Sequence, residues 1–171
     1  MKPRGKMCKL TVLLLVAAAT TFAFADPSLA QSAPPTAVDA KAVAQCLDAA
    51  RNGDGFGGNC IGVVADPCIK AAAGRDSYVA DEKACAAREL AVWRARLTQA
   101  VTAASKSGGN QVRGAIAAAQ KRWASSQDAL CPLFANLDPG AAPGAGTYCR
   151  LQETARRALL LERLAAAVGE H

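Results

Sequence analysis

Cys85–Ser105 reads CAARELAVWRARLTQAVTAAS, and its spacing decides the fold. Leu90, Trp93, Leu97, Val101 and Ala104 recur at steps of three and four residues. That period puts side chains on one face of an α-helix. Upstream, Ser77 is placed to cap the helix, and Asp81 and Glu82 sit in or near its first turn, where negative charge favours the helix dipole. The spacing predicts a helix from about Tyr78 to Ser105. SKSGGN, Ser105–Asn110, breaks it. A second stripe, Val112, Ile116, Ala119, Trp123 and Leu130, predicts a helix from about Gln111 to Leu130. Gly114 inside it costs about 1 kcal/mol relative to Ala. A third stripe, Leu151, Ala155, Ala158, Leu161, Ala165 and Val168, predicts a helix from about Thr147 to Val168, stopped by Gly169. Glu153 and Arg157 fall four apart on it and can pair at the surface.

The flanking segments are shorter. Thr36 followed by Asp39 has the form of a capping box for a helix with Val43, Leu47 and Ala50 inward. NGDGFGG, Asn52–Gly58, stops that helix; it lacks the alternating acidic residues and terminal Glu of a calcium loop. Asp66-Pro67 starts a helical turn with Pro in the first position. PLFANLDPGAAPGAG, Pro132–Gly146, reads as an extended Pro/Gly-rich loop, with Phe134 and Asp138 as its candidate binding residues. No segment alternates as a strand does. The fold class is therefore all-α: a small helical bundle with a long antiparallel helical hairpin and a third long C-terminal helix. Trp93 and Trp123 both lie on apolar stripes and are expected in the core.

The first residues are of a different kind. Lys2, Arg4, Lys6 and Lys9 precede the uncharged run Leu10–Ala25, which ends in Ala23-Phe24-Ala25. This is the pattern of a secretory signal peptide, residues 1–25, with an alternative cleavage point after Ala30. Residues 26–36 read as a flexible leader and 37–171 as the helical domain. Removing four of the twenty basic residues leaves sixteen against fourteen acidic ones, a net charge of +2. No basic cluster with interleaved aromatics survives, which argues against a nucleic-acid partner.

Cleavage also removes Cys8 and leaves Cys46, Cys60, Cys68, Cys85, Cys131 and Cys149. An even number in an exported chain reads as a disulfide framework. Metal binding needs paired short spacings and usually His; there is no C-x-x-C, and the only histidine is His171. No cofactor is implied. Of the fifteen connectivities open to six cysteines, geometry favours nearest neighbours. Cys46–Cys60 would span the Gly-rich turn, Cys68–Cys85 the turn between helices, and Cys131–Cys149 the Pro/Gly loop. Pairing of Cys60 with Cys68 stays open.

Four stretches together resemble the lysozyme inhibitor LprI-like family: CIGVVADPC (Cys60–Cys68), CAARELAVWRARL (Cys85–Leu97), QKRWASSQDALC (Gln120–Cys131) and CRLQETARRALLL (Cys149–Leu161). Within them Cys85, Glu89, Trp93 and Leu97 stand at four-residue steps, and Thr154, Arg157 and Leu161 recur in the last. The chain departs from the family pattern at Thr98 and Val101, and at Ser126-Gln127. The resemblance implies a small, helical, disulfide-bonded, exported protein that binds and inhibits lysozyme.

The leading expectation is thus a periplasmic or secreted cell-envelope binding protein with a protein partner, lysozyme by the resemblance, and no membrane span after cleavage. The competing reading is a periplasmic structural or assembly factor with no lysozyme contact. An enzyme is not expected. A triad has only the terminal His171 to use. Glu82, Glu89, Glu153 and Glu162 are expected as solvated helix charges, and Arg150, Arg156, Arg157 and Arg163 as a basic side of the last helix.

Overall fold

The computed structural model describes residues 35–53, 56–75, 78–137 and 144–169. Residues 1–34, Ser77, Asp138 and His171 lie outside them. The elements are α1 (Ala37–Asn52), a 3-10 turn (Gly58–Cys60), α2 (Ala65–Ala72), α3 (Tyr78–Ser107), α4 (Gly109–Leu137) and α5 (Ala145–Gly169). No strand occurs among the described residues, and none of their helices is long and apolar enough to cross a membrane.

Thr36 caps α1: its Oγ1 accepts from the Asp39 amide at 3.1 Å. Beyond the cap, the Asp39 carboxylate reaches across to α3. It is buried and receives the Arg88 guanidinium of α3, with Nη2 at 2.6 Å and Nε at 3.2 Å. Pro67 is the third residue of α2, not its first, because the helix already begins at Ala65.

Side-chain contacts fix the helix directions. Glu82 on α3 meets Gly144 just before α5, and Arg96 meets Glu162 further along both. Thus α3 and α5 run parallel. Gln120 of α4 pairs with Arg157 of α5, and Gln127 with Thr154, so α4 runs antiparallel to both. The α3–α4 hairpin turns at Gly108, where Gly109 takes φ +68°.

The hairpin is not the main packing unit. The core joins Val43 and Leu47 of α1, Val64 before α2, Leu90, Trp93 and Leu97 of α3, and Leu151, Ala155, Ala158 and Leu161 of α5. Trp93 is fully buried. Trp123 is half-buried and packs against this core from α4. Of the α4 stripe only Ile116 is buried, and Leu130, expected inward, is exposed. Small side chains on α5 let it sit close to α3, and α4 covers only the flank.

The Pro132–Gly146 segment is not a continuous loop. α4 runs through Pro132 to Leu137, and α5 starts at Ala145. Proline removes one helical hydrogen bond and crowds the preceding turn, at a cost of about 3 kcal/mol. Tertiary anchoring offsets it. Cys131 is bonded to Cys149 on α5, and Ala135 packs where Gly146 has no side chain: a Cβ there would stand 3.3 Å from Ala135 Cβ and 3.2 Å from the Cys131 carbonyl oxygen.

Three disulfides join sequence neighbours: Cys46–Cys60, Cys68–Cys85 and Cys131–Cys149, with Cα atoms 5.7, 5.7 and 5.4 Å apart. They tie α1 to the 3-10 turn, α2 to α3, and α4 to α5. Each closes a loop of the length for which chain entropy gives about 3 kcal/mol. That matters in a core whose alanines bury little area each.

Candidate binding surface

The surface rests on a buried carboxylate. Glu89 is 0 % exposed, in the middle of α3. Its Oε1 accepts from the Gly62 amide and the Trp93 indole Nε1, both at 2.8 Å. Its Oε2 accepts from the Val64 and Ala65 amides, also at 2.8 Å. Four N–H donors meet a carboxylate's four acceptor sites. Val64 and Ala65 form the N-terminus of α2, which has no side-chain cap of its own. Glu89 supplies that cap from a different helix, and the dipole at a helix N-terminus favours its negative charge. The expectation that Glu89 is a solvated charge is therefore wrong. Its spacing from Cys85 and Trp93 held the signal, since three residues at four-residue steps share one face.

Around this centre the segment before α2 is locked. Gly62 has φ +99°, which an L side chain adopts at a cost, and any Cβ there would collide with the Asp66 carboxylate. Asp66 Oδ1 in turn accepts the Tyr148 hydroxyl of α5 at 2.6 Å. Burial, then the hydrogen bond and charge of Asp66, push the Tyr148 phenol up to about 12.

Tyr148 also lines a groove of about 340 Å³ between the start of α3, the end of α4 and the start of α5. Leu130 and Phe134 form one wall; Glu82, Gln152, Glu153 and Arg156 line the rest. Leu130, Leu133 and Phe134 are 46 %, 53 % and 45 % exposed, at i, i+3 and i+4 of α4. They form one apolar face at the end of a helix pinned by Cys131–Cys149. Phe134 is thus a helical residue, not a loop residue, and the other candidate, Asp138, lies outside the described residues.

The α5 arginines do not make one basic side. Arg157 donates from Nε to Gln120 at 2.6 Å, in the seam with α4. Arg156 pairs with Glu153 at 2.8 Å, so the expected Glu153–Arg157 pair is not formed. Arg163 lies over the Phe56 ring. Two of the residues at which the chain departs from the resembled pattern, Gln127 and Thr98, have structural uses. Gln127 donates to Thr154 Oγ1 and the Arg150 carbonyl, and Thr98 bonds back to the Arg94 carbonyl of its own helix.

A family model described as "Lysozyme inhibitor LprI" matches residues 68–161, from Cys68 in α2 to Leu161 in α5. The chain belongs to the lysozyme inhibitor LprI family. No curated protein and no solved structure matches it. The LprI match takes in Glu89, Trp93, Cys85 and the whole Leu130–Phe134 face. It leaves out α1, the Cys46–Cys60 bridge and Phe56.

Proposed function

We propose that this LprI-family protein is exported by residues 1–25, works outside the cytoplasm, and binds and blocks lysozyme without catalysing a reaction of its own. The observation that carries the proposal is the family match over α2–α5. Three disulfides support an oxidising compartment. The contact surface is the exposed end of α4, Leu130, Leu133 and Phe134, with the adjoining groove. Interfaces commonly centre on a buried aromatic anchor within an apolar patch, and Phe134 supplies that anchor. Lysozyme is basic, and a net charge of +2 gives no overall attraction. Glu82 beside the groove provides an acidic group locally, whereas Glu153 is already paired with Arg156; such local charge favours register more than affinity.

The test is protection of bacterial cells from lysis. Oxidised protein purified from an exporting host is added to cells treated with lysozymes of more than one type. Dose-dependent protection that saturates near one inhibitor per enzyme is expected. No protection by helical, fully disulfide-bonded protein would overturn lysozyme binding and leave the envelope assembly reading in its place.

A further inference from the structure

Phe56 follows α1 in the Gly-rich turn and is 74 % exposed. It is not isolated. The Arg163 guanidinium lies 5.0 Å from its ring centroid, and Phe56 lines two grooves. The larger, about 480 Å³, has a carbon wall of Leu47, Leu159 and Ala166 beside the ring. That volume falls in the range of small-molecule sites, about 300–1,000 Å³. The smaller, about 330 Å³, is lined by Gln152 and Arg156 and shares Leu159 and Arg163.

The charge along the larger groove is one-sided. Among the described residues, Arg51, Arg96 and Arg163 line it against Glu162. Arg96 gives Nη2 to Glu162 at 2.8 and 3.0 Å, and its buried Nε has no hydrogen-bond partner. Arg51 has only an exposed pair with Asp48 within α1, of the kind worth little in water. A surplus of guanidinium groups beside a carbon wall matches a ligand with an apolar tail and an anionic head, since the guanidinium fork suits carboxylate and phosphate.

We propose that this groove binds a single-chain anionic amphiphile as a monomer. Its hydrocarbon lies against Leu47, Leu159 and Phe56, and its carboxylate or phosphate is held by Arg163 and Arg51. The groove lies along the later turns of α5, apart from the Leu130–Phe134 face, so the proposal does not rest on lysozyme binding.

The experiment titrates dodecanoate, below its micellar concentration, into the oxidised exported protein and follows amide resonances by NMR. A saturable one-to-one complex is expected, with shifts centred on Leu47, Phe56 and Leu159. Dodecyl maltoside and dodecyltrimethylammonium, with the same tail, should bind at least tenfold more weakly. Arg163→Gln and Phe56→Ala should each weaken dodecanoate at least tenfold while leaving the thermal unfolding midpoint unchanged, because both side chains are exposed. Equal binding of all three head groups, no saturation, or insensitivity to both variants would overturn the proposal. Co-flotation with phosphatidylglycerol vesicles without a saturable dodecanoate site would assign the arginines to a membrane surface and overturn it as well.

Discussion

Trp93 donates its indole N–H to the Glu89 carboxylate one helical turn earlier, at 2.8 Å, and both side chains are fully buried. The pair joins the largest core side chain to the cap of α2. Removing the carboxylate leaves the Gly62, Val64 and Ala65 amides and the Trp93 indole without their acceptor. Glu89→Ala is expected to lose about 3–5 kcal/mol of stability, the scale of a buried charged group stripped of its partners. Glu89→Gln keeps the volume but turns an NH2 toward two donors, so it too should lose at least about 2 kcal/mol. Urea unfolding followed by tryptophan fluorescence measures both. A loss within about 0.5 kcal/mol, the range of surface substitutions, would contradict the buried cap.

The strained turn beside that cap gives a second prediction. Gly62→Ala forces a side chain into φ +99° and against Asp66. The expected loss is at least about 1–2 kcal/mol. Gly114→Ala on α4, with open space around it, should instead gain up to about 1 kcal/mol. Equal effects in thermal melts would contradict the local geometry.

Much of this was legible in the sequence, and the parts that were not have physical reasons. The α3 stripe could be read because burial follows the helical period. Glu89 lies on the same stripe, but its burial depends on amides 24 to 27 residues away, which no local pattern contains. Pro132 ends a helix by any local rule. Here the Cys131–Cys149 bond and the close fit of Gly146 on Ala135 hold the turn together. Phe134 was visible as a candidate contact residue, but only the continuation of α4 puts it on one face with Leu130 and Leu133.

Two titrations test the electrostatics. Burial alone would raise the Asp39 carboxyl, but hydrogen bonds from Arg88 and Thr36 and the Arg88 charge outweigh it and hold it below the usual value. A carboxyl depressed in the fold adds stability above its unfolded pKa, about 3.9. That contribution disappears as pH falls through the folded value. Stability should therefore drop below about pH 4, and Asp39→Asn should flatten that part of the profile. An unchanged profile in Asp39→Asn would contradict the pairing with Arg88.

Tyr148 shifts the other way. Its phenol is neutral in the fold until about pH 12, against about 10 when unfolded. Its contribution is full below pH 10 and lost as pH rises through the folded value. Absorbance at alkaline pH should show one tyrosine ionising near 12, and Tyr148→Phe should remove that step. Ionisation of Tyr148 near 10 would contradict its bond to Asp66.

Each disulfide can be removed singly. Cys46→Ala with Cys60→Ala should lose about 3 kcal/mol, and Cys131→Ala with Cys149→Ala a similar amount. The second pair should also loosen the end of α4 beyond Pro132 and weaken lysozyme binding, whereas the first should leave binding intact. Denaturation midpoints and the lysis assay, run on both variants, separate the two effects. Equal loss of binding in both would contradict the location of the contact surface.

The most direct measurement is a calorimetric titration of lysozyme into the oxidised protein, beside the Leu130→Ser/Phe134→Ser variant. The exposed positions of both side chains make the variant a folded control. A one-to-one complex that weakens at least tenfold in the variant is the result expected for an inhibitor that acts through the end of α4. Absence of heat and of complex with the unaltered protein, or a variant that binds equally well, would contradict it.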